Sequence, residues 1–296
     1  MRHKPRHKRK RRISLFIFTL IILTFAIFYI DSNVRIVTTE YELYYPGLPE
    51  SFDGYRIVVL SDIHGAEFGR DNHRLVSRVE EARPDIITIL GDFIDEYGTP
   101  SLARQLEVAE TLVRQLVEIA PVYFVTGNHD WASGELPTLL AILEEYGVTV
   151  LQNRYVLLES GLETIILAGT DDPNGPADMI RPEEFVRRTR YAQGDEFFIM
   201  LEHRNRNLSL YSRLEIDLVL SGHAHGGIIR LPFTDGLIGP RRELFPSYTS
   251  GVYQLPGEHT RMVVSRGLGS PFLWMRLFNN PEVVVVELRT GVADGG

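Results

Sequence analysis

Residues 55–64 read YRIVVLSDIH. The apolar run Tyr55 to Ser61 predicts a strand in a sheet buried on both faces, and polar chemistry begins where the strand ends, with Asp62 and His64 two residues apart on a turn. The pattern then repeats. A helical stretch, Asn72 to Ala82, leads through Pro84 to a strand at Asp85 to Leu90, and Gly91-Asp92 follows at once. A helix at Leu102 to Ile119 places Leu102, Leu106, Ala109, Leu112, Val113 and Leu116 on one face as core contact. The next strand, Pro121 to Thr126, runs directly into Gly127-Asn128-His129-Asp130. Beyond it the chain reads as a helix at Glu135 to Tyr146, strands near Val148 to Leu151, Tyr155 to Glu159 and Thr164 to Ala168, and a helix near Pro182 to Tyr191. Strands at Phe197 to Leu201 and Leu218 to Ser221 are each followed within a few residues by histidine, and Arg261 to Ser265 and Val283 to Leu288 close the sheet system. This alternation predicts an α/β layered fold. Polar residues recur just beyond the carboxyl ends of five expected strands, where open α/β sheets build their sites.

The composition excludes several function classes. There are no cysteines, so disulfides, thiolate zinc sites and cysteine nucleophiles are ruled out, and any metal site must use His, Asp, Glu or Asn. The formal net charge of -8 conceals an asymmetry: Arg2, Lys4, Arg6, Lys8, Arg9, Lys10, Arg11 and Arg12 all precede the first acidic residue, Asp31. Without those eight, the remaining 23 Lys and Arg face 39 Asp and Glu. A body that acidic repels a nucleic-acid backbone, so no nucleic-acid partner is expected.

Residues 13–30, ISLFIFTLIILTFAIFYI, carry no charge, and a helix of that length rises about 27 Å, enough to span a bilayer. The stretch is longer than a signal-peptide core and no small-residue cleavage pattern follows it, so an uncleaved anchor is expected, with a twin-arginine signal at Arg11-Arg12 as the other reading. The basic block holds residues 1–12 in the cytoplasm and sends the rest outside. The expected organisation is a basic segment at 1–12, a transmembrane helix at 13–30, an extended tether at 31–50 and a catalytic domain at 51–296.

Each strand-end motif has its own chemistry. Asp62-x-His64 offers a carboxylate and an imidazole to one ion. Gly91 permits a tight turn, after which Asp92 can supply one oxygen to each of two cations. Asn128 carries a neutral oxygen ligand, and the next residue, His129, can move a proton. Gly222-His223-Ala224-His225-Gly226-Gly227 sets two imidazoles two residues apart in a glycine-rich turn, a common metal-site arrangement.

In this order the motifs resemble the calcineurin-like metallophosphoesterase superfamily, whose pattern runs D-x-H, G-D-x-x-D, G-N-H-[DE], H, G-H-x-H. The resemblance spans about residues 41–290. It is closest to the transmembrane or exported bacterial branch, through Phe52-Asp53-Gly54-Tyr55-Arg56-Ile57, Gly169-x-Asp171-Asp172-Pro173, Arg230-Leu231-Pro232-Phe233 after the glycine pair, and Ser265-Arg266-Gly267-Leu268-Gly269. Two positions depart from the family pattern. Glu202-His203-Arg204-Asn205 stands where His-x-Pro is usual, and Ile228 stands where glutamine is common.

The resemblance implies a layered β-sandwich flanked by helices. It implies two divalent ions, Mn²⁺, Fe²⁺ or Zn²⁺ by the affinity order of an oxygen and nitrogen donor set, with Asp62, His64 and His225 on one, Asn128, His203 and His223 on the other, and Asp92 bridging. Asp95 stands where a ferric-tyrosinate centre would need tyrosine. The expected activity is phosphodiester or phosphomonoester hydrolysis at the membrane by in-line attack of a bridging hydroxide, with His129 protonating the leaving oxygen and Asp95 orienting its other ring nitrogen. A phospholipid or a nucleotide-linked lipid such as UDP-diacylglucosamine is the substrate class in view, although that lipid reaction belongs on the cytoplasmic side. Asp130 is expected to support the ligands and the Asp171-Asp172 turn to be structural. Arg204, Arg206, Arg230, Arg241 and Arg242 are candidates for phosphate contact, and Leu268 to Phe278 for contact with the bilayer. The alternative is a non-catalytic metal-binding receptor ectodomain.

Overall fold

Short apolar strands that end in polar turns assemble into two stacked sheets. The computed structural model describes residues 6–98, 100–176, 179–231, 235–239, 243–269 and 276–292. The chain opens with helix α1 (Arg6–Val34) and continues through β1 (Val37–Tyr45), β2 (Arg56–Leu60), α2 (His73–Glu81), β3 (Ile86–Leu90), α3 (Leu102–Leu116), β4 (Val122–Val125), α4 (Asn128–Ala132), α5 (Leu136–Glu145) and β5 (Thr149–Val150). It proceeds with β6 (Arg154–Ser160), β7 (Glu163–Gly169), α6 (Pro182–Gln193), β8 (Phe198–Glu202), α7 (Leu208–Arg213), β9 (Leu218–Ser221), β10 (Gly251–Gln254), β11 (Arg261–Val264) and β12 (Glu282–Thr290). The strand order is β1-β12-β2-β3-β4-β5 in one sheet and β10-β11-β9-β8-β7-β6 in the other. Strands β2, β3 and β4 run parallel, as do β7, β8 and β9, so their carboxyl ends gather at one edge of the sandwich.

Alternate residues of each central strand serve two different cores, which is why these strands read as unbroken apolar runs. In the first sheet, Val58, Leu60, Ile87, Ile89, Val283 and Val285 pack under α2, α3 and α5. Ile57, Val59, Ile86, Leu90, Val284 and Val286 face Ile165, Leu167, Ile199, Leu201, Leu218 and Leu220 of the second sheet. The far side of the second sheet, with Ile166, Phe198, Met200 and Val219, is covered by Phe185 and Val186 of α6 and by Leu208 and Tyr211 of α7. The result is the layered α/β sandwich with flanking helices that the motif resemblance implied. Helix α3 starts where Ser101 Oγ accepts from Arg104 N–H, and it buries Val108, Ala109, Leu112, Val113 and Leu116.

Helix α1 includes one stretch, Lys10–Val34, long and apolar enough to cross a membrane. Its apolar side chains are exposed, Phe16 at 69% and Ile27 at 66% among them. The expected tether at 31–50 needs correction: residues 37–45 are β1, paired in parallel with β12 from Val37↔Glu282 to Tyr45↔Thr290. Only Arg35 and Ile36 separate α1 from that strand. The pairing is invisible locally because β1 buries little of itself and its partner lies some 245 positions away. Helix α7 and strand β10 were likewise not foreseen. Arg241, Arg242, Pro232, Phe233 and much of Leu268 to Phe278 lie outside the described residues.

Leu112 is fully buried in the core beneath the first sheet. Leu112→Ala is therefore expected to lower unfolding free energy by about 2–5 kcal/mol, read from urea denaturation, with a smaller loss at the partly buried Leu106.

Candidate metal centre

The edge where the parallel strands end holds all seven expected ligands. Asp62 and His64 follow β2, Asp92 follows β3, Asn128 begins α4 after β4, His203 follows β8, and His223 and His225 follow β9. Two groups of ligand atoms form there: Asp62, His64, Asp92 and His225 in one, Asp92, His203 and His223 in the other. Asp92 is common to both and has no exposed surface. His203, despite its unusual flanking residues, lies at the middle of the second group. Its Nε2 is 3.1 Å from Asp92 Oδ2, 3.2 Å from Asn128 Oδ1 and 3.1 Å from His223 Nδ1. The other ring nitrogen, Nδ1, donates to Leu90 C=O at 2.7 Å, which fixes the ring and turns Nε2 towards the second group.

Such crowding of acceptors needs a positive charge. One ring proton cannot serve Asp92, Asn128 and His223 together. Around it Asp92 Oδ2, both nitrogens of His64, His223 Nε2 and His225 Nδ1 are buried without a hydrogen-bond partner. Native interiors rarely leave polar atoms in that state, and a cation is the standard resolution. Burial draws His203 down, but Asp92 and Asp62 raise it to about 10, so a cation taking its Nε2 lone pair must displace a proton there. Burial opposes ionisation of Asp92 too, yet His203 and His64 hold it well below the usual carboxylate range. His223 and His225 are pushed far down, chiefly by burial, and stay neutral with lone pairs free. The donor set therefore fits divalent cations.

Backbone conformation brings the ligands together at a cost. Asp62, His64, Asp92, His223 and His225 all have left-handed φ, between 48° and 67°. Each such non-glycine residue costs about 1–3 kcal/mol and persists only where the surroundings over-determine it. Several bonds do so. Asp62 N–H donates to Gly91 C=O and His64 N–H to Asp92 C=O, which extends the parallel pairing into the turns. His223 N–H donates to Asp62 Oδ2 at 3.0 Å and ties the two sheets together. The Asp130 carboxylate accepts from the N–H groups of Asp92, Phe93, Ile94 and Gly127 and so clamps the ends of β3 and β4, in the supporting role expected of it. Gly127 leaves space for this, since a Cβ there would collide with Asp92 Oδ1.

His129 sits at the rim, its side chain 15% exposed, with its ring 5.0 Å from that of His64. The expected pairing with Asp95 is not found. Glu96 Oε2 lies 2.6 Å from His129 Nδ1, whereas Asp95 Oδ2 lies 3.6 Å from His64 Nδ1 and Asp95 Oδ1 accepts from Tyr97 N–H. The turn after Ile94 sends neighbouring carboxylates in different directions, which residue spacing does not reveal. The only sequence signal for Glu96 was its place directly after Asp95. Arg204 is held by Asp172 in a two-pronged ion pair, and Arg230 by Gly226 C=O and Ser250. Arg206 lines a cavity of about 400 Å³ that opens beside His223. Asp171 accepts from Trp131 and Gln152 and is structural, as expected.

Asp130→Ala is expected to cost more than about 3 kcal/mol, because four buried amides each lose an acceptor worth about 1–3 kcal/mol. Chemical denaturation measures that loss, and a change under about 1 kcal/mol would refute the clamp.

Similarity to known proteins agrees with this geometry. The calcineurin-like phosphoesterase family matches residues 55–227, a range that contains every candidate ligand, His129 and Glu96. The chain is 32% identical over 254 residues to a zebrafish (Danio rerio) transmembrane protein with metallophosphoesterase domain, covering 82% of this chain and 55% of that protein, about half its length. It is 30% identical over 258 residues to the metallophosphoesterase YkuE of Bacillus subtilis, with 86% of each chain covered. A metallophosphoesterase of Aquifex aeolicus is 30% identical over 241 residues, covering 79% of this chain and 85% of that one. Strand-end ligands, buried cation-seeking atoms and these relatives agree: the chain belongs to the calcineurin-like phosphoesterase family of metal-dependent phosphoesterases.

Proposed function

We propose that the chain hydrolyses a phosphoester presented at a membrane surface, using two divalent cations. Asp62, His64, Asp92 and His225 hold one, and Asp92, Asn128, His203 and His223 the other. The observation that carries this reading is the sharing of Asp92 between two ligand groups made of oxygen and nitrogen donors. That donor set suits Mn²⁺, Fe²⁺ or Zn²⁺, and manganese is the first to test. Two such ions, when bound, supply a water of lowered pKa for in-line displacement and offset charge on the phosphate oxygens.

The chain's own residues supply the remaining chemistry. His129 is the proton donor to the leaving oxygen. Burial draws its pKa down, but the carboxylates of Asp92 and Glu96 outweigh that and raise it, which favours the protonated ring. Glu96 accepts from His129 Nδ1 and orients the ring, leaving Nε2 as the proton-carrying atom. The clamp at Asp130 keeps Asp92 and Asn128 in register.

A lipid-linked phosphoester is the substrate class this arrangement favours. The exposed apolar length of α1 and the ring contact of Phe28 with Phe278, at 4.9 Å, support it. The next residue, Asn279, is hydrogen-bonded to the backbone of His225. With the basic residues 1–12 in the cytoplasm, the domain lies outside, where a phospholipid is the substrate to expect ahead of UDP-diacylglucosamine.

The full chain in detergent, loaded with Mn²⁺, is expected to hydrolyse bis-nitrophenyl phosphate or nitrophenyl phosphate, and to lose that turnover on chelation or in Asp92→Asn. Metal bound without turnover on either ester would defeat the reading. His129→Ala should slow poor leaving groups by about 10²–10⁴-fold while sparing nitrophenolate release, which scarcely needs a proton. Equal losses on both esters would remove His129 from the proton-donor role.

A further inference from the structure

The first ligand group is backed by a seam that ligand chemistry alone does not require. The end of α1 and the residues after it are stitched to the segment 276–280. Asn33 Oδ1 accepts from Arg276 N–H at 3.0 Å, and Asn33 Nδ2 donates to Arg276 C=O at 2.9 Å. Ser32 Oγ accepts from Phe278 N–H at 2.8 Å, and Asn280 Nδ2 donates to Asp31 C=O at 2.7 Å. Phe28 of α1 packs on Phe278.

The same segment turns its other side to the metal centre. Asn279 Nδ2 donates to His225 C=O at 2.7 Å and to Ile228 C=O at 3.1 Å. The Arg276 guanidinium, buried with the rest of that side chain, donates to Arg266 C=O at 2.9 Å and to Gly269 C=O at 2.5 Å. Gly269 N–H in turn donates to Asp62 C=O at 2.6 Å. Gly267 lies so close that a Cβ there would come within 2.7 Å of Asp62 Cβ. Asp62, His225 and Ile228 have φ of 52°, 48° and 43°, conformations that side-chain-bearing residues keep only under outside constraint, a β-branched one least readily. Around the second group the backing differs. His203 is held by Leu90 C=O, and the turn before Asn128 by Asp130.

We infer that the seam between 31–35 and 276–280 is a positioning element for the first metal group, with Asn279 and Arg276 as positioning residues and the docked end of α1 as their anchor. The membrane helix then contributes to cation affinity at Asp62, His64 and His225, and leaves the group at Asn128, His203 and His223 largely unaffected. The inference rests on the reading that each group binds one ion.

The test is metal binding by the full chain in detergent, stripped and titrated with Mn²⁺ in a calorimeter, with ions per chain counted by mass spectrometry. Wild type is expected to bind two ions. Asn33→Ala and Asn279→Ala should each weaken one of them by about 10–100-fold, the range seen when a residue supporting a metal ligand is removed, and leave the other unchanged. The weakened ion should be the one missing from His225→Ala, so adding Asn279→Ala to that variant changes nothing further. Fewer than two ions in wild type overturns the dinuclear reading itself. Two ions in wild type with both affinities unchanged in the variants overturns the seam's role, as does equal weakening of both.

Discussion

A carboxylate with no access to water has to be compensated from within the protein, and Asp92 is that carboxylate. Its Oδ1 accepts from His129 N–H, while its Oδ2 meets His203 at 3.1 Å and lies 3.8 Å from His64. The surrounding imidazoles do not complete that compensation, because they are themselves buried, two of them are held neutral, and several of their nitrogens lack a partner. A site with this imbalance is completed by cations, and the remaining architecture keeps those atoms from relaxing apart. Loss of charge at Asp92 would remove the reason for the arrangement on both sides of it.

The two sheets contribute different ligands. The first supplies the carboxylates and the amide oxygen, at the ends of β2, β3 and β4, and the second supplies three of the four ligand imidazoles, from the ends of β8 and β9. The three imidazoles of the second sheet therefore meet the carboxylates of the first only when the sandwich closes, and the apolar core between the sheets provides the free energy that holds them in place. Rigid strands fix where each turn begins, and the left-handed residues in the turns aim the side chains. The strain at those residues is balanced by hydrogen bonds from neighbouring loops, Asp130 and Asn279 prominent among them.

The N-terminal segment links the long apolar helix α1 to this arrangement. Because β1 completes one edge of the first sheet and Ser32 and Asn33 bond to the segment carrying Asn279, α1 joins the domain through a docked junction instead of a free linker. A docked junction fixes the end of α1 against the segment that carries Asn279, whose side chain donates to His225 C=O.

Much of this was written in the sequence. The apolar runs and the turns that follow them announced an α/β layered fold, because strands buried on both faces leave no polar period, and D-x-H, G-D, G-N-H-D and G-H-A-H in that order carried the family resemblance that implied the candidate ligand set. His203 was legible only as a histidine after an apolar strand, since its neighbours depart from the family pattern, and it took the folded chain to bring its Nε2 to Asp92 and Asn128. Tertiary structure alone decided that Glu96 and not Asp95 meets His129, since a turn's dihedral angles determine which of two adjacent carboxylates faces inward. It alone turned the expected tether into β1, because a strand paired with a partner 245 positions away gains its stability from contacts that no local pattern records. Local chemistry is read in the order of residues; orientation and long-range pairing depend on closure of the whole sandwich.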